Sequence, residues 1–223
     1  MPDALDPAGP EPEAPVEPTS TARGLADRAT SLLLSRPPGV GRTRLGVIDG
    51  RSGSGKSTFA RVWEQALLER GTETVLLFSS DLLATWADPF GWFDRFDNGV
   101  LAPLGEGKPG RIQLTDWAAG PPRPGSWLEI PVVDVLLLEG VSAGRLALGD
   151  RAGVSVWLES GDRAERLERA VARDGESSRV NLSRWQDAED AFFERDRPAD
   201  RADFVGRQLM DAPATWRPIG AHR

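Results

Sequence analysis

The chain has 223 residues, a net charge of −7, no cysteine, no tyrosine and a single histidine, His222. That length suffices for one α/β domain with its own core. The missing cysteines exclude disulfides, thiolate metal sites and cysteine nucleophiles, and one histidine argues against Ser-His-Asp catalysis and histidine-based zinc sites. The acidic balance argues against general nucleic-acid binding. The chain has no apolar run of membrane-spanning length, and its acidic, proline-rich beginning is unlike a signal peptide, so the expected setting is cytoplasmic.

Residues 1–20 are rich in Pro, Glu and Ala and carry almost no apolar side chains, the composition of a disordered tail. Residues 21–223 read as one domain. Thr21 to Ser35 forms an amphipathic helix with Leu25, Ala29, Leu32 and Leu33 on one side, ending before Pro37 and Pro38. The short apolar run Arg44 to Ile48 reads as a buried strand that ends at Asp49.

Gly50, Arg51, Ser52, Gly53, Ser54, Gly55, Lys56 and Ser57 follow, a complete G-x-x-x-x-G-K-[ST] loop, with Thr58 next. Phe59, Val62, Trp63, Ala66 and Leu67 then recur at helical spacing up to Gly71. Strand, glycine loop and helix are what phosphate binding needs. Glycines let the backbone approach a phosphate without a Cβ in the way, and successive N–H groups and the helix N-terminus supply positive potential. In such a loop Lys56 reaches the β- and γ-phosphates and the Ser57 hydroxyl ligates Mg²⁺, so the expected ligand is a nucleoside triphosphate with Mg²⁺.

Further strands are expected at Glu73–Ser79, Val132–Leu138, Val154–Glu159 and, more weakly, Ala202–Val205. Continuous apolar runs alternating with helices imply a parallel sheet covered on both faces. The exception is residues 82–131, too long for a plain connection. With Trp86, Phe90, Trp92, Phe93, Phe96, Trp117 and Trp127 among many Gly and Pro residues, it is either a substrate pocket or a satellite core under a long loop.

Three carboxylate or arginine features follow strand ends, where ligands sit in doubly wound sheets. Asp81, after the second strand, can accept a proton from an attacking hydroxyl or help hold Mg²⁺; the alternative is an N-cap near Leu82. Glu139 closes a run of apolar residues and can bind Mg²⁺ directly or through water, with Gly140 leaving room for substrate. Arg166, Arg169 and Arg173 lie along one helical stripe that leads into a polar stretch, with residues 173–183 read as a lid. Such arginines either neutralise a transferring phosphoryl group or form a salt-bridged solvent face.

Taken together, I-D-G-R-S-G-S-G-K-S-T (48–58), S-S-D (79–81), L-E-G (138–140) and R-L-E-R-A-V-A-R-D (166–174) resemble the uridine kinase-like branch of P-loop kinases. The resemblance covers roughly residues 44–205 and looks closest to compact actinobacterial-type members. It implies a three-layer α/β/α fold with a five-stranded parallel sheet. It also implies ATP and Mg²⁺ as ligands, Asp81 as base for an acceptor hydroxyl, Ser57 and Glu139 at the metal, and lid arginines at Arg166, Arg169 and Arg173. Uridine kinases carry Y-D-[FY]-x-x-H in the insertion, whose tyrosine and histidine hold the pyrimidine. The best match here is Thr115, Asp116, Trp117, Ala118, Ala119 and Gly120. Asp116 and Trp117 are retained, as candidates for ribose and ring contacts, but the base-holding donors are not. The expected function is a small-molecule kinase acting on a hydroxyl acceptor, with the acceptor and any homo-oligomer left open. The alternatives are a regulatory ATPase without a small acceptor, and a degenerate scaffold that has kept the fold. A GTPase is disfavoured because Lys108 lies in Gly-Lys-Pro rather than in a guanine-binding motif.

Overall fold

The computed structural model describes residues 22–117 and 121–207. In chain order its helices are α1 Ala22–Ser35, α2 Lys56–Glu69, α3 Trp92–Phe96, α4 Ala102–Gly105, α5 Arg163–Asp174 and α6 Arg179–Asp196. Its strands are β1 Arg44–Gly50, β2 Val75–Ser79, β3 Gly110–Asp116, β4 Arg123–Ile130, β5 Val135–Glu139, β6 Val154–Glu159 and β7 Phe204–Arg207. The 1–20 tail, Ala118, Ala119, Gly120 and His222 lie outside the described residues.

Five strands form one parallel sheet in the order β2-β5-β1-β6-β7. All of β5 is buried, and so is β1 after Arg44, which is why both read as unbroken apolar runs rather than alternating ones. Residues of alternate parity feed opposite faces. Ile48, Leu77, Val135, Leu137 and Val156 pack under α1 and α2 against Leu25, Leu33, Phe59, Trp63 and Leu67. Val47, Phe78, Leu136 and Leu138 pack on the other side against Trp92, Phe96, Val100 and Leu104. Trp157 of β6 meets Phe192 and Phe193 of α6. The result is the expected three-layer α/β/α arrangement.

Three strands, β2, β5 and β7, start two or three residues later than the sequence predicts. Before β5, the Asp134 carboxylate accepts hydrogen bonds from Thr74 N and Thr74 Oγ1, both at 2.9 Å. Before β7, Asp203 accepts from Ser155 N at 2.8 Å. Each aspartate ties the chain to its neighbour one or more residues ahead of the ladder.

The insertion is more ordered than a loop. A helical stretch runs through α3, a π-helical turn at Asp97–Leu101, and α4. It is followed by the antiparallel hairpin β3–β4, which no sequence pattern announced. Trp92, Phe93 and Phe96 are core residues of the sheet's second face, and the Trp92 indole N–H donates to Ser142 Oγ at 3.3 Å. These three aromatics are therefore part of the main core, neither a satellite cluster nor ligand platforms.

Candidate active site

The parallel register assembles the site. Ser79 of β2 and Ile48 of β1 both lie level with Glu139 of β5, so the chain leaving these three strands emerges on one rim. β1 runs into the glycine loop there. Gly50, Gly53 and Gly55 all have positive φ, and α2 begins at Lys56 immediately after Gly55. The glycines are required by contacts as well as by φ: a Cβ on Gly53 would lie 2.6 Å from the Arg166 carbonyl oxygen, and one on Gly50 would lie 2.5 Å from that of Leu158.

The Lys56 ammonium, largely buried, donates to the Arg51 carbonyl at 3.0 Å across the loop. Ser57 Oγ donates to Glu139 Oε1 at 3.1 Å. Burial and the neighbouring Asp81 push the Glu139 carboxyl up, against the pull of Lys56 and of hydrogen bonds from Ser79 and Ser57. Asp81 sits in a single 3₁₀ turn, Ser80–Leu82, whose cap is the Ser79 side chain. Asp81 is thus not the cap, and its carboxylate is exposed on the same rim as Glu139. Gly140 makes room for Ser80 rather than for a substrate, since a Cβ there would lie 1.9 Å from Ser80 Oγ.

The three arginines of α5 do different things. Arg169 is a brace: its Nε donates to the Gly53 carbonyl at 3.0 Å and its Nη2 to the Ser160 carbonyl at 2.7 Å. Arg166 donates to the Gly161 carbonyl at 2.8 Å, while its Nε is buried without a partner. Arg173 forms a two-pronged pair with the adjacent Asp174 at 2.6 and 2.7 Å. That pair, together with the fields of Asp81 and Glu139, raises its pKa. Arg173 is therefore in electrostatic reach of both rim carboxylates. α5 itself starts with a capping box in which Asp162 and Glu165 satisfy each other's backbone N–H. The 173–183 stretch is a helical turn, Glu176–Ser178, leading into α6, with Arg179 paired to both Glu168 and Glu176.

On the insertion side, the Trp117 indole N–H donates to the Asp81 carbonyl at 3.1 Å. Its ring meets Trp86 edge-on at 5.1 Å, and Trp86 meets Trp185 at 5.7 Å. Asp116 is ion-paired with Arg123 across the hairpin at 2.9 Å, and Thr115 Oγ1 donates to the Leu83 carbonyl at 3.1 Å. The structure therefore brings Trp117 to Asp81 but turns Asp116 and Thr115 to internal partners.

On the other flank of the loop, a cavity of about 230 Å³ is lined by Arg51, Ser54, Trp157, Glu159, Gly161 and Arg166 among others. Ser54 Oγ is buried there without a hydrogen-bond partner.

Two acidic residues of the site were not identified from sequence. Asp49, nearly inaccessible, accepts from the backbone N–H of Gly50, Ser142 and Gly144 at 2.7, 2.9 and 2.8 Å. Burial pushes its carboxyl up to about 7 despite those donors and Lys56. Glu189 of α6, with no exposed surface, accepts from Ser52 N at 3.0 Å and from Ser52 Oγ. A sequence signal for it existed: Leu182, Trp185, Gln186, Glu189, Phe192 and Phe193 form one buried helical stripe, and two of its members are polar.

No family model matches the chain, and no curated protein does. Solved structures do. A Bacillus stearothermophilus protein provisionally named as a uridine kinase superposes with a TM-score of 0.57 at 21% identity, over 82% of this chain and 98% of that one. The fold is that of the P-loop kinases. A Silicibacter sp. TM1040 protein provisionally named as a fructose transport system kinase gives 0.53 at 21% identity, over 84% of this chain and 99% of that one. The names of these two neighbours point to different acceptors, so the shared fold does not select one.

Proposed function

We propose that the protein is an ATP-dependent kinase that transfers the γ-phosphoryl group of ATP·Mg²⁺ to a hydroxyl of a small molecule. The observation that carries this is the Ser57–Glu139 contact at 3.1 Å beside the buried Lys56 ammonium. It joins two hard oxygen donors and a cation at the mouth of a glycine loop. Those donors suit Mg²⁺, which takes one or two protein oxygens and completes its shell with phosphate and water; when bound, the ion would neutralise charge on the phosphates.

Asp81 takes the proton of the acceptor hydroxyl as that oxygen attacks the γ-phosphorus. The bond to the β–γ bridging oxygen breaks, and ADP leaves. Lys56 and Arg173, once turned from Asp174, stabilise charge on the transferring group. The cavity beside Arg51 and Arg166 takes the nucleoside end of ATP. The acceptor lies between Asp81 and Trp117, whose indole face suits a planar or apolar group. Uridine itself is disfavoured, because Thr115 and Asp116 are committed within the protein.

The test is ATP consumption against panels of nucleosides, sugars and small alcohols, with Lys56→Ala as the blank. Stimulation by one class, lost in Asp81→Asn with ATP binding retained, is the expected result. Steady hydrolysis indifferent to every acceptor would instead mark a regulatory ATPase.

A further inference from the structure

Three consecutive residues of the glycine loop are held by the α5–α6 hairpin. Arg51 pairs with Asp190, the Ser52 N–H and hydroxyl donate to Glu189, and Gly53 accepts from Arg169 Nε at 3.0 Å while packing against the Arg166 backbone. Arg163 at the start of α5 links the same stretch of α6 through Asp187 and Asp190.

These anchors differ in weight. The Arg51–Asp190 and Arg163–Asp190 pairs are a third to a half exposed, and ion pairs in that setting contribute little. Glu189 has no exposed surface. Its carboxylate ends in the loop with Ser52 as its hydrogen-bonding partner and Lys56 close enough to favour its charge. Burying a carboxylate is costly unless it is well paired, and an apolar residue would suit the rest of that stripe. What the carboxylate does there is fix the direction of one loop N–H and the rotamer of one loop side chain.

We propose that Glu189 is a positioning residue of the phosphate loop, through which the arginine-bearing α5–α6 hairpin sets the loop's phosphate-binding conformation. The inference rests on the reading that the loop takes ATP·Mg²⁺. Glu189 touches no substrate; it acts through Ser52.

The experiment measures the dissociation constant of ATP·Mg²⁺ by calorimetry, and the melting temperature, for the full chain and for Glu189→Ala, Glu189→Gln, Ser52→Ala and the double variant Ser52→Ala/Glu189→Ala. Glu189→Ala is expected to weaken binding at least tenfold. Glu189→Gln keeps an acceptor for Ser52 and should restore affinity to within about threefold of wild type. The double variant should bind no worse than Glu189→Ala, because Ser52→Ala removes only the hydroxyl part of the contact that Glu189→Ala removes whole. A role in folding alone would lower the melting temperature of Glu189→Ala and leave the affinity of its folded fraction unchanged, which would overturn the proposal. Additive losses in the double variant would also overturn it. Should Glu189→Ala fail to fold, Glu189→Gln carries the test: a Glu189→Gln variant that folds as wild type and binds tenfold weaker sinks it. Failure of the underlying reading looks different: wild type would not bind ATP·Mg²⁺, or Lys56→Ala would bind equally well.

Discussion

At Gly140 a single methyl group would collide with Ser80. A Cβ there lies 1.9 Å from Ser80 Oγ and 2.7 Å from Ser80 Cβ, on a backbone at φ +145°. Gly140→Ala should therefore destabilise the fold by about 2–3 kcal/mol through overpacking and strain. The measurement is a lower denaturation midpoint at unchanged m-value. Adding Ser80→Gly should return part of the loss, since it removes the atoms the methyl meets. Asp49 is the second residue whose surroundings dictate an outcome. Its carboxyl sits at about 7 in the folded chain against an ordinary 3.8. The folded state therefore keeps a proton that the unfolded state releases. The stability this proton confers is full below pH 4 and is lost as pH rises through 7. Between pH 5 and 8 it amounts to roughly 2–3 kcal/mol. Asp49→Asn removes that dependence while Glu139 and Glu189, whose pKa values are also raised by burial, keep theirs. The variant's urea midpoints at pH 5 and 8 should accordingly lie closer together than wild type's. An unchanged gap would mean that the backbone donors hold Asp49 ionised throughout.

Among the elements, Trp86 connects parts distant in sequence. It touches Trp117 beside Asp81, Trp185 of α6, and the small cluster of Ala170, Val171 and Leu182 where α5 and α6 meet. Trp86→Ala should cost about 2 kcal/mol, below a fully buried tryptophan because the ring is only partly covered. Amide exchange should rise first in α5 and α6 rather than in the sheet; uniform acceleration across β1 and β5 would argue that Trp86 supports the whole fold and not that junction. The same contrast explains what was legible in the sequence. β1, β2, β5 and β6 are read correctly because a parallel strand buried on both faces leaves an apolar run that few other structures require. The glycine loop is legible because its φ values and close contacts admit little else. β4 is not, since most of Arg123–Ile130 is exposed and Pro124 and Gly125 read as turn residues. The aromatics of the insertion could not be divided by composition: Trp92 and Trp117 differ only in what folds against them. Glu189 was lost in an acidic run, Asp187 to Asp190, where only the helical phase separates the buried carboxylate from those on the surface.

On the scale of the whole molecule, the glycine loop stands where the strand order turns. From β1 the chain goes through α2 to β2 at one edge of the sheet, and β6 and β7 extend the other, the position at which open α/β sheets take ligands. The two flanks differ in charge. Asp81 lies just past β2 and Glu139 ends β5, whereas Arg51 and Arg166 line the cavity at the end of β6. A triphosphate seated in the loop would turn its basic-flank end toward the arginines and bring its metal-bound end to the carboxylates, so binding must draw both flanks together. Nothing in the unfolded chain offers that arrangement, and occupancy should stabilise the fold by mass action. At one hundred times its dissociation constant, ATP·Mg²⁺ should add about 2.7 kcal/mol. Lys56→Ala should lose most of the gain, and Ser57→Ala should lose it selectively at low Mg²⁺. The distribution of that gain is the sharper test. Because Glu189 and Arg169 tie the loop to α6 and α5, exchange protection on nucleotide binding should extend along both helices and leave α1, on the opposite face of the sheet, nearly unchanged. Protection confined to residues 50–58 would mean that the loop binds nucleotide without engaging the hairpin that carries the arginines.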